Sequence, residues 1–452
     1  MRKIAKRIWV LLALLLGFTA GLGLLGFGFA RHGALWATNR ANGHIYANGA
    51  MARAGNILDR GGLVLAETKG GKRVLYPSAA MRKATLHAVG DPQGFVSTGA
   101  HSAFRSTLTG YNGVTGIYEL IKNGKGADVT LSIDAQLCKT AWQALNGRKG
   151  AVGVSNYETG EVLCMVSSPS FDPLHKPADI EDNPAYDAVY LNRFLHGLFT
   201  PGSTFKIITA ACAITHLPDI ESRTFTCNGG YATGEGLVVC REKHGKVDFQ
   251  QALNVSCNTA FAQLAVELGQ ANLQKTAREL GFDRAFNAGK LPLAMGLFAS
   301  TKPWSALELG WAGVGQHTTL ANPCQMLLLM GAIANGGKGV APKLTANSAA
   351  QTLLPPKTAL SIDPALAARL RELLRSDVTA VYDPGGRKTP GLELCGKTGT
   401  AEVDGERPHA WFVGFARNAP YAIVVVGENA GGGQSVAFEI AAKVLNAAKN
   451  NA

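Results

Sequence analysis

The sequence predicts an α/β (α+β) fold, one antiparallel sheet flanked by helices, set behind a single membrane helix. Three observations carry this. Residues 8–30 form an apolar run without a charge. β-rich runs in hairpin patterns stand at the two ends of a region from 128 to 450. A long, largely helical stretch separates those ends. Strands at both ends of one domain with helices between them imply one sheet assembled from distant sequence, with helices packed on it.

The apolar run comes first. At a helical rise it spans about 34 Å, enough to cross a hydrocarbon core of ~30 Å. A cleaved signal peptide is the rival reading, with Gly28 and Ala30 as small residues near a cleavage point. The run exceeds the ~7–15 residues of a signal-peptide core, which favours an uncleaved anchor. Arg2, Lys3, Lys6 and Arg7 precede it. Such a basic cluster places residues 1–7 in the cytoplasm as a short tail, and everything after the anchor outside.

Residues 31–127 are rich in Gly, Ala and short polar residues, with weak periodicity. Residues 53–68, RAGNILDRGGLVLAET, read as a strand, a turn at Gly61-Gly62 and another strand. A small β-containing pedestal is expected here, holding the next domain off the membrane; a flexible stalk is the plainer alternative. From 128 onward the pattern sharpens. Val129–Ile133 reads as a strand entry and Ala135–Leu145 as a helix. Gly150–Ser155 and Glu161–Ser167 read as a hairpin turning at residues 156–160. His409–Ala416 and Tyr421–Gly427 form a second hairpin, and a helix follows at about Val436–Ala448.

Bulk properties bound the function. The chain has 452 residues, 46% of them hydrophobic and 17% charged, enough for two or three domains with a sizeable core. The net charge is +12, but no basic stripe is interleaved with aromatics, which argues against a nucleic-acid partner. A mildly basic surface suits an anionic membrane or cell wall.

The chemistry centres on Pro201-Gly202-Ser203-Thr204-Phe205-Lys206, which opens an apolar helical run. Pro and Gly suit a helix start, and residues three apart on a helix share a face. A serine hydroxyl needs a base, and a lysine serves if burial or a second cation keeps it neutral. Alone, this pattern is expected about once by chance in a chain of this length. Two further motifs change that: Ser256-Cys257-Asn258, then Lys397-Thr398-Gly399-Thr400 just before the second hairpin. A second Ser can relay protons, and an Asn can bind a substrate amide with donor and acceptor. At a strand edge, Gly399 lets substrate approach while Lys397, Thr398 and Thr400 can bind a carboxylate.

These motifs in this order resemble the penicillin-binding transpeptidases, whose set is S-x-x-K, S-x-N and K-T-G. Residues 191–210 (LNRFLHGLFTPGSTFKIITA), 167–173 (SSPSFDP), 397–402 (KTGTAE) and 409–416 (HAWFVGFA) are similar as well. The resemblance spans about residues 128–448, and 53–62 weakly resembles the start of the extracellular part of class B members. It implies the penicillin-binding transpeptidase fold over 128–450 and peptidoglycan stem peptides as substrate. It implies Ser203 as nucleophile and Lys206 as its base. Ser256 would bridge Lys206 and Lys397, and Asn258 would hold the peptide backbone. Lys397, Thr398 and Thr400 would receive the terminal carboxylate, and the N–H groups of Ser203 and Thr400 would form the oxyanion hole. β-Lactams would acylate the same serine. A D,D-carboxypeptidase, with water as acceptor, is the near alternative; a non-catalytic β-lactam sensor or scaffold is the distant one. The resemblance also implies a multi-spanning glycan polymerase as partner, in cell elongation, division or sporulation. No cofactor is required for the chemistry.

Eight cysteines in an extracellular chain call for an account. Cys138, Cys164, Cys212, Cys324 and Cys395 lie in apolar contexts and read as small core residues. Cys227, Cys240, His244 and Cys257 have the spacing C-x12-C-x3-H-x12-C, which could complete a tetrahedral zinc site. Cys257 lies inside the second motif, so such a metal would pin the loop that presents Ser256 and Asn258. A Cys227–Cys240 disulfide and unlinked thiols are the alternatives. Gly431-Gly432-Gly433 lacks the Lys-Ser/Thr that follows in a phosphate loop, and reads as a tight loop before the last helix. His409 reads as a strand-edge residue, with substrate contact as its alternative.

Overall fold

This computed structural model describes residues 2–39, 41–43, 45–47, 50–113, 115–119, 124–346 and 355–451. Helix α1, Arg2–Ala37, contains the apolar span Arg7–Phe29, one helix long and apolar enough to cross a membrane. Its large side chains, Trp9, Leu11, Leu14, Phe18 and Leu24 among them, stand exposed. The helix exit is tied down: Ala37 O accepts from Tyr118 Oη at 2.7 Å and from Asn42 Nδ2 at 2.9 Å.

The N-terminal module is a small sheet with a helix. Its strands are β1 (Ile57–Leu58), β2 (Val64–Lys69), β3 (Lys72–Leu75) and β4 (Val129–Thr130), in the order β3-β2-β1-β4. Asp59 Oδ1 accepts from the N–H groups of Gly61 and Leu63, closing the turn expected between β1 and β2. Gly70 and Gly71, both at positive φ, make the two-residue turn from β2 to β3. Helix α2 (Ala79–Val89), capped by Ser78, packs against the C-terminal region.

Strand β4 lies just past the expected boundary at 127/128; it pairs in parallel with β1 and completes the first sheet. A stalk is not what residues 51–113 form, since one continuous apolar core runs from Ile45 to Ala448. A buried ion pair crosses the junction. Arg82 donates through Nε and Nη2 to both oxygens of Asp172, at 2.7 and 2.6 Å.

The C-terminal region opens with α3 (Ala135–Leu145), capped by Asp134. Strands β5 (Gly150–Asn156) and β6 (Val162–Ser168) follow as a hairpin. Gly160 at positive φ and the Asn156 side chain shape its turn. Next come α4 (Lys206–His216) and four short strands: β7 (Thr224–Cys227), β8 (Gly230–Ala232), β9 (Leu237–Val239) and β10 (Gly245–Asp248). Helices α5 (Phe249–Asn254), α6 (Asn258–Glu279), α7 (Pro323–Ala334) and α8 (Pro364–Asp377) fill the middle. The chain then returns to the sheet as β11 (Leu394–Ala401), β12 (His409–Ala416) and β13 (Tyr421–Gly427), and ends in α9 (Glu439–Asn450).

The expected single sheet forms, antiparallel throughout, in the order β11-β12-β13-β5-β6. Its distant halves join where β13 pairs with β5, Tyr421 opposite Asn156 and Gly427 opposite Gly150. Every residue of β6 and β13 is buried, as strands covered by helices on both faces require. Helices α3 and α9 pack on each other and on the sheet, and α7 packs on β12, β13 and β5. The last helix starts three residues later than expected, because a wider turn over Gly433–Phe438 precedes it. β11 is an edge strand, and the turn Gly202–Phe205 that precedes α4 packs against it and β12.

Candidate active site

Ser203 lies in a tight helical turn, Gly202–Phe205, that leads into α4. Gly202 has φ 53° and donates to Gly315 O at 2.9 Å. A Cβ there would fall 2.8 Å from Thr400 O, and one on Gly399 would fall 2.6 Å from Pro201 O. The two glycines therefore let the Ser203 turn and β11 touch backbone to backbone. Phe205 locks the turn below, stacked on Phe298 at 4.7 Å between ring centroids. Ser203 is half-buried, whereas Lys206, one turn on, is wholly buried.

Lys206 Nζ donates to Ser256 O at 2.6 Å, Ser256 Oγ at 3.1 Å and Asn258 Oδ1 at 2.7 Å. Burial, then the neighbouring Lys397 charge, lowers its pKa from 10.5 to about 7. Two ammonium groups in one dry site disfavour each other, so one gives up its proton. Ser256 holds a left-handed backbone, φ 54°, between the end of α5 and the Cys257 cap of α6. That kink turns Ser256 and Asn258 toward Lys206. Asn258 Nδ2 donates to Val239 O at 2.9 Å, tying the second motif to β9.

The third motif lies along β11. Lys397 and Gly399 are buried, while Thr398 and Thr400 are partly open, the alternation a strand dictates. Thr400 Oγ1 accepts from Gly433 N at 3.1 Å, so the glycine loop expected before the last helix braces this strand. Lys397 does not meet Ser256 as the resemblance implied. Its Nζ donates to Tyr382 Oη at 2.7 Å and lies 3.1 Å from Asp377 Oδ2. Burial works against its charge, but Asp377 and Tyr382 outweigh that and hold the ammonium above its ordinary range. Burial in turn pushes the Asp377 carboxyl up to about 6.

Sequence reasoning missed Asp377 and Tyr382. A signal was present: Leu366, Leu370, Leu373, Leu374 and Asp377 fall at the spacing of one helical face. A carboxylate in line with four leucines, at a helix C-terminus where the dipole disfavours it, calls for a cationic partner.

Cys227, Cys240, His244 and Cys257 converge beside the second motif, their ligand atoms all within 4.8 Å of one another. Three sulfurs and an imidazole nitrogen at that spread suit a tetrahedral zinc ion. Backbone N–H groups of Asn258 and Ala260 donate to the sulfurs of Cys240 and Cys257, at 3.3 and 3.5 Å. A hydrogen bond from the Cys257 thiol draws the Cys240 thiol well below its ordinary range, despite burial. All eight cysteines are free thiols, and the five expected core cysteines are buried. His409 sits on β12 edge-on to Phe199, accepting from Asn429 N at 3.0 Å, a structural environment.

With this geometry in view, the similarities are specific. The family model described as the penicillin binding protein transpeptidase domain matches residues 150–446. Peptidoglycan D,D-transpeptidase PbpA of Mycolicibacterium smegmatis is 30% identical over 353 residues, 69% of each chain. Peptidoglycan D,D-transpeptidase MrdA of Acinetobacter baumannii is 30% identical over 357 residues, 69% of this chain and 52% of its own. The imipenem acyl-enzyme of penicillin-binding protein A from M. tuberculosis superposes with a TM-score of 0.75 at 28% identity, covering 88% of this chain and 98% of that one. Pseudomonas aeruginosa PBP2 in complex with WCK 5153 gives 0.73 at 27% identity, covering 87% and 96%.

Proposed function

The chain belongs to the penicillin-binding protein transpeptidase family, and on that premise we propose that it is a membrane-anchored, serine-type peptidoglycan D,D-transpeptidase. One observation carries the serine mechanism. The buried Lys206 ammonium, lowered to about 7, sits one turn from Ser203 and within hydrogen-bond reach of Ser256 and Asn258. A lysine so placed is half-neutral near pH 7 and can accept a proton.

In this reading Ser203 Oγ attacks the carbonyl of the penultimate D-Ala of a stem peptide, and its proton passes to Lys206. The N–H groups of Ser203 and Thr400 stabilise the oxyanion. The peptide C–N bond breaks, and the leaving amine of the terminal D-Ala takes a proton through Ser256. An amine of a neighbouring stem then attacks the Ser203 ester, releasing the serine and forming the cross-link. Asn258 holds the donor backbone, while Lys397, Thr398 and Thr400 receive the donor carboxylate. Gly399 clears the strand edge for the peptide. β-Lactams acylate Ser203 by the same opening step. The anchor leaves residues 1–7 in the cytoplasm and the catalytic domain outside, beside a multi-spanning glycan polymerase.

A zinc ion held by Cys227, Cys240, His244 and Cys257 would stiffen the Ser256–Asn258 loop and play no part in bond making. Metal analysis and thiol counting on protein purified without reductant test it. One zinc per chain supports the site; no zinc and two missing thiols point to a disulfide instead.

Function itself is tested by incubating purified enzyme with stem peptides. Cross-linked dimers are expected. Release of D-Ala without dimers would make the enzyme a D,D-carboxypeptidase.

A further inference from the structure

Resting on the transpeptidase reading, we propose that Asp377 and Tyr382 are positioning residues for acyl transfer, holding Lys397 as a fixed ammonium at the carboxylate-binding end of the groove. Asp377 is the last residue of α8, and Tyr382 closes the wide turn Val378–Tyr382 that follows. Neither belongs to the three motifs.

Geometry makes the case. The Lys397, Asp377 and Tyr382 side chains are all shut away from solvent. Tyr382 Oη donates to Asp377 Oδ2 at 3.1 Å and accepts from Lys397 Nζ at 2.7 Å. It also accepts from Thr398 N at 3.4 Å, satisfying a donor on the free edge of β11. The Tyr382 ring packs on Phe438, 5.7 Å between centroids, in the same turn whose Gly433 N–H braces Thr400. Lys397, Thr398 and Thr400 are thus held from one side by a single buried assembly.

The fold has little use for this carboxylate. Asp377 Oδ1 is buried with no hydrogen-bond partner among the described residues, and the face it occupies is otherwise leucine. A buried ion pair is commonly no more stable than a well-packed apolar substitute. Its use is electrostatic. A wholly buried ammonium loses its proton unless a counter-charge is fixed beside it. Asp377 supplies that charge, and Tyr382 fixes the direction of Nζ. The titratable groups facing Lys397 are the Asp377 carboxyl, the neutral Tyr382 phenol and, across the site, Lys206. Held as a cation, Lys397 keeps the Lys206 amine basic but unprotonated and offers a fixed charge to a carboxylate.

The test measures acylation rates with a fluorescent penicillin on the full chain in detergent, from pH 6 to 10.5, with thermal melting alongside. Wild type, Asp377→Asn, Tyr382→Phe and Ser203→Ala are compared. Asp377→Asn keeps the shape and removes the charge. It should acylate at least 10-fold more slowly at pH 7.5, and its rate should fall off at alkaline pH at least one unit earlier than wild type, as Lys397 deprotonates. Tyr382→Phe should slow acylation several-fold with a smaller alkaline displacement. A purely structural role would lower the melting temperature and leave the pH profile of the folded fraction in place. If Asp377→Asn does not fold, Tyr382→Phe decides alone. Folded variants with wild-type rates and superimposable profiles would overturn the proposal. A wild type that takes no label would overturn the transpeptidase reading and this inference with it; label in Ser203→Ala equal to wild type would overturn only the nucleophile.

Discussion

Gly433 donates its N–H to Thr400 Oγ1 at 3.1 Å, across a gap that admits no side chain. A Cβ on Gly433 would fall 2.3 Å from Gly399 O and 2.8 Å from Trp411 O. Both obstacles are backbone, so Gly433→Ala must push the loop off β11. The Thr400 brace is lost and the edge strand loosens, while the core beneath is untouched. Acylation by penicillin should slow at least 10-fold with a melting temperature near wild type. Wild-type kinetics would show that the loop does not position the strand.

Lys206 predicts the pH dependence. With the neutral Lys206 amine as the proposed base, the acylation rate should rise with pH through about 7. Lys206→Met should cut the rate by about 10²–10⁴-fold. Stability moves with a definite sign. The folded pKa lies below the unfolded value, so between about 7 and 10.5 the unfolded chain binds more protons at this residue. The lysine therefore destabilises the fold fully below pH 7, and that cost fades as pH rises toward 10.5. Wild type should gain stability relative to Lys206→Met between pH 7 and 10; a gain in the opposite direction would contradict the depressed pKa.

Arg82 and Asp172 join the N-terminal module to the catalytic region, each side chain 7% exposed. Arg82 Nη1 also donates to Tyr76 O and Pro77 O, so removing one partner leaves buried polar groups unpaired. Asp172→Ala should cost about 3–5 kcal/mol, and Arg82→Met combined with Asp172→Leu should recover most of it. Chemical denaturation of wild type and these two variants measures this. An Asp172→Ala chain as stable as wild type would mean that the junction is held by apolar packing alone.

Much of this molecule was legible because its signals are local. The hairpin His409–Ala416/Tyr421–Gly427 and the helix Ala135–Leu145 have the extents the sequence predicts. Each is a periodic run bounded by turn residues or a capping Asp134. The sequence reads Val129–Ile133 as a strand entry without naming its sheet, because the two residues of strand β4, Val129–Thr130, carry no periodicity that names a partner. The three motifs located Ser203, Lys206, Ser256, Asn258 and Lys397, but not the direction of Lys397. That direction is set by Asp377 and Tyr382, neighbours in sequence to each other and remote from every motif. Residues 114, 120–123 and 347–354, within or beside the expected pedestal and the helical stretch, lie outside the described residues.

We propose Ser203 as the acylated nucleophile. Labelling the full chain with a fluorescent penicillin, wild type against Ser203→Ala, tests it most directly. One covalent label per wild-type chain, carried by the peptide containing Ser203, is expected, and none on the variant. Equal labelling of both chains would contradict it.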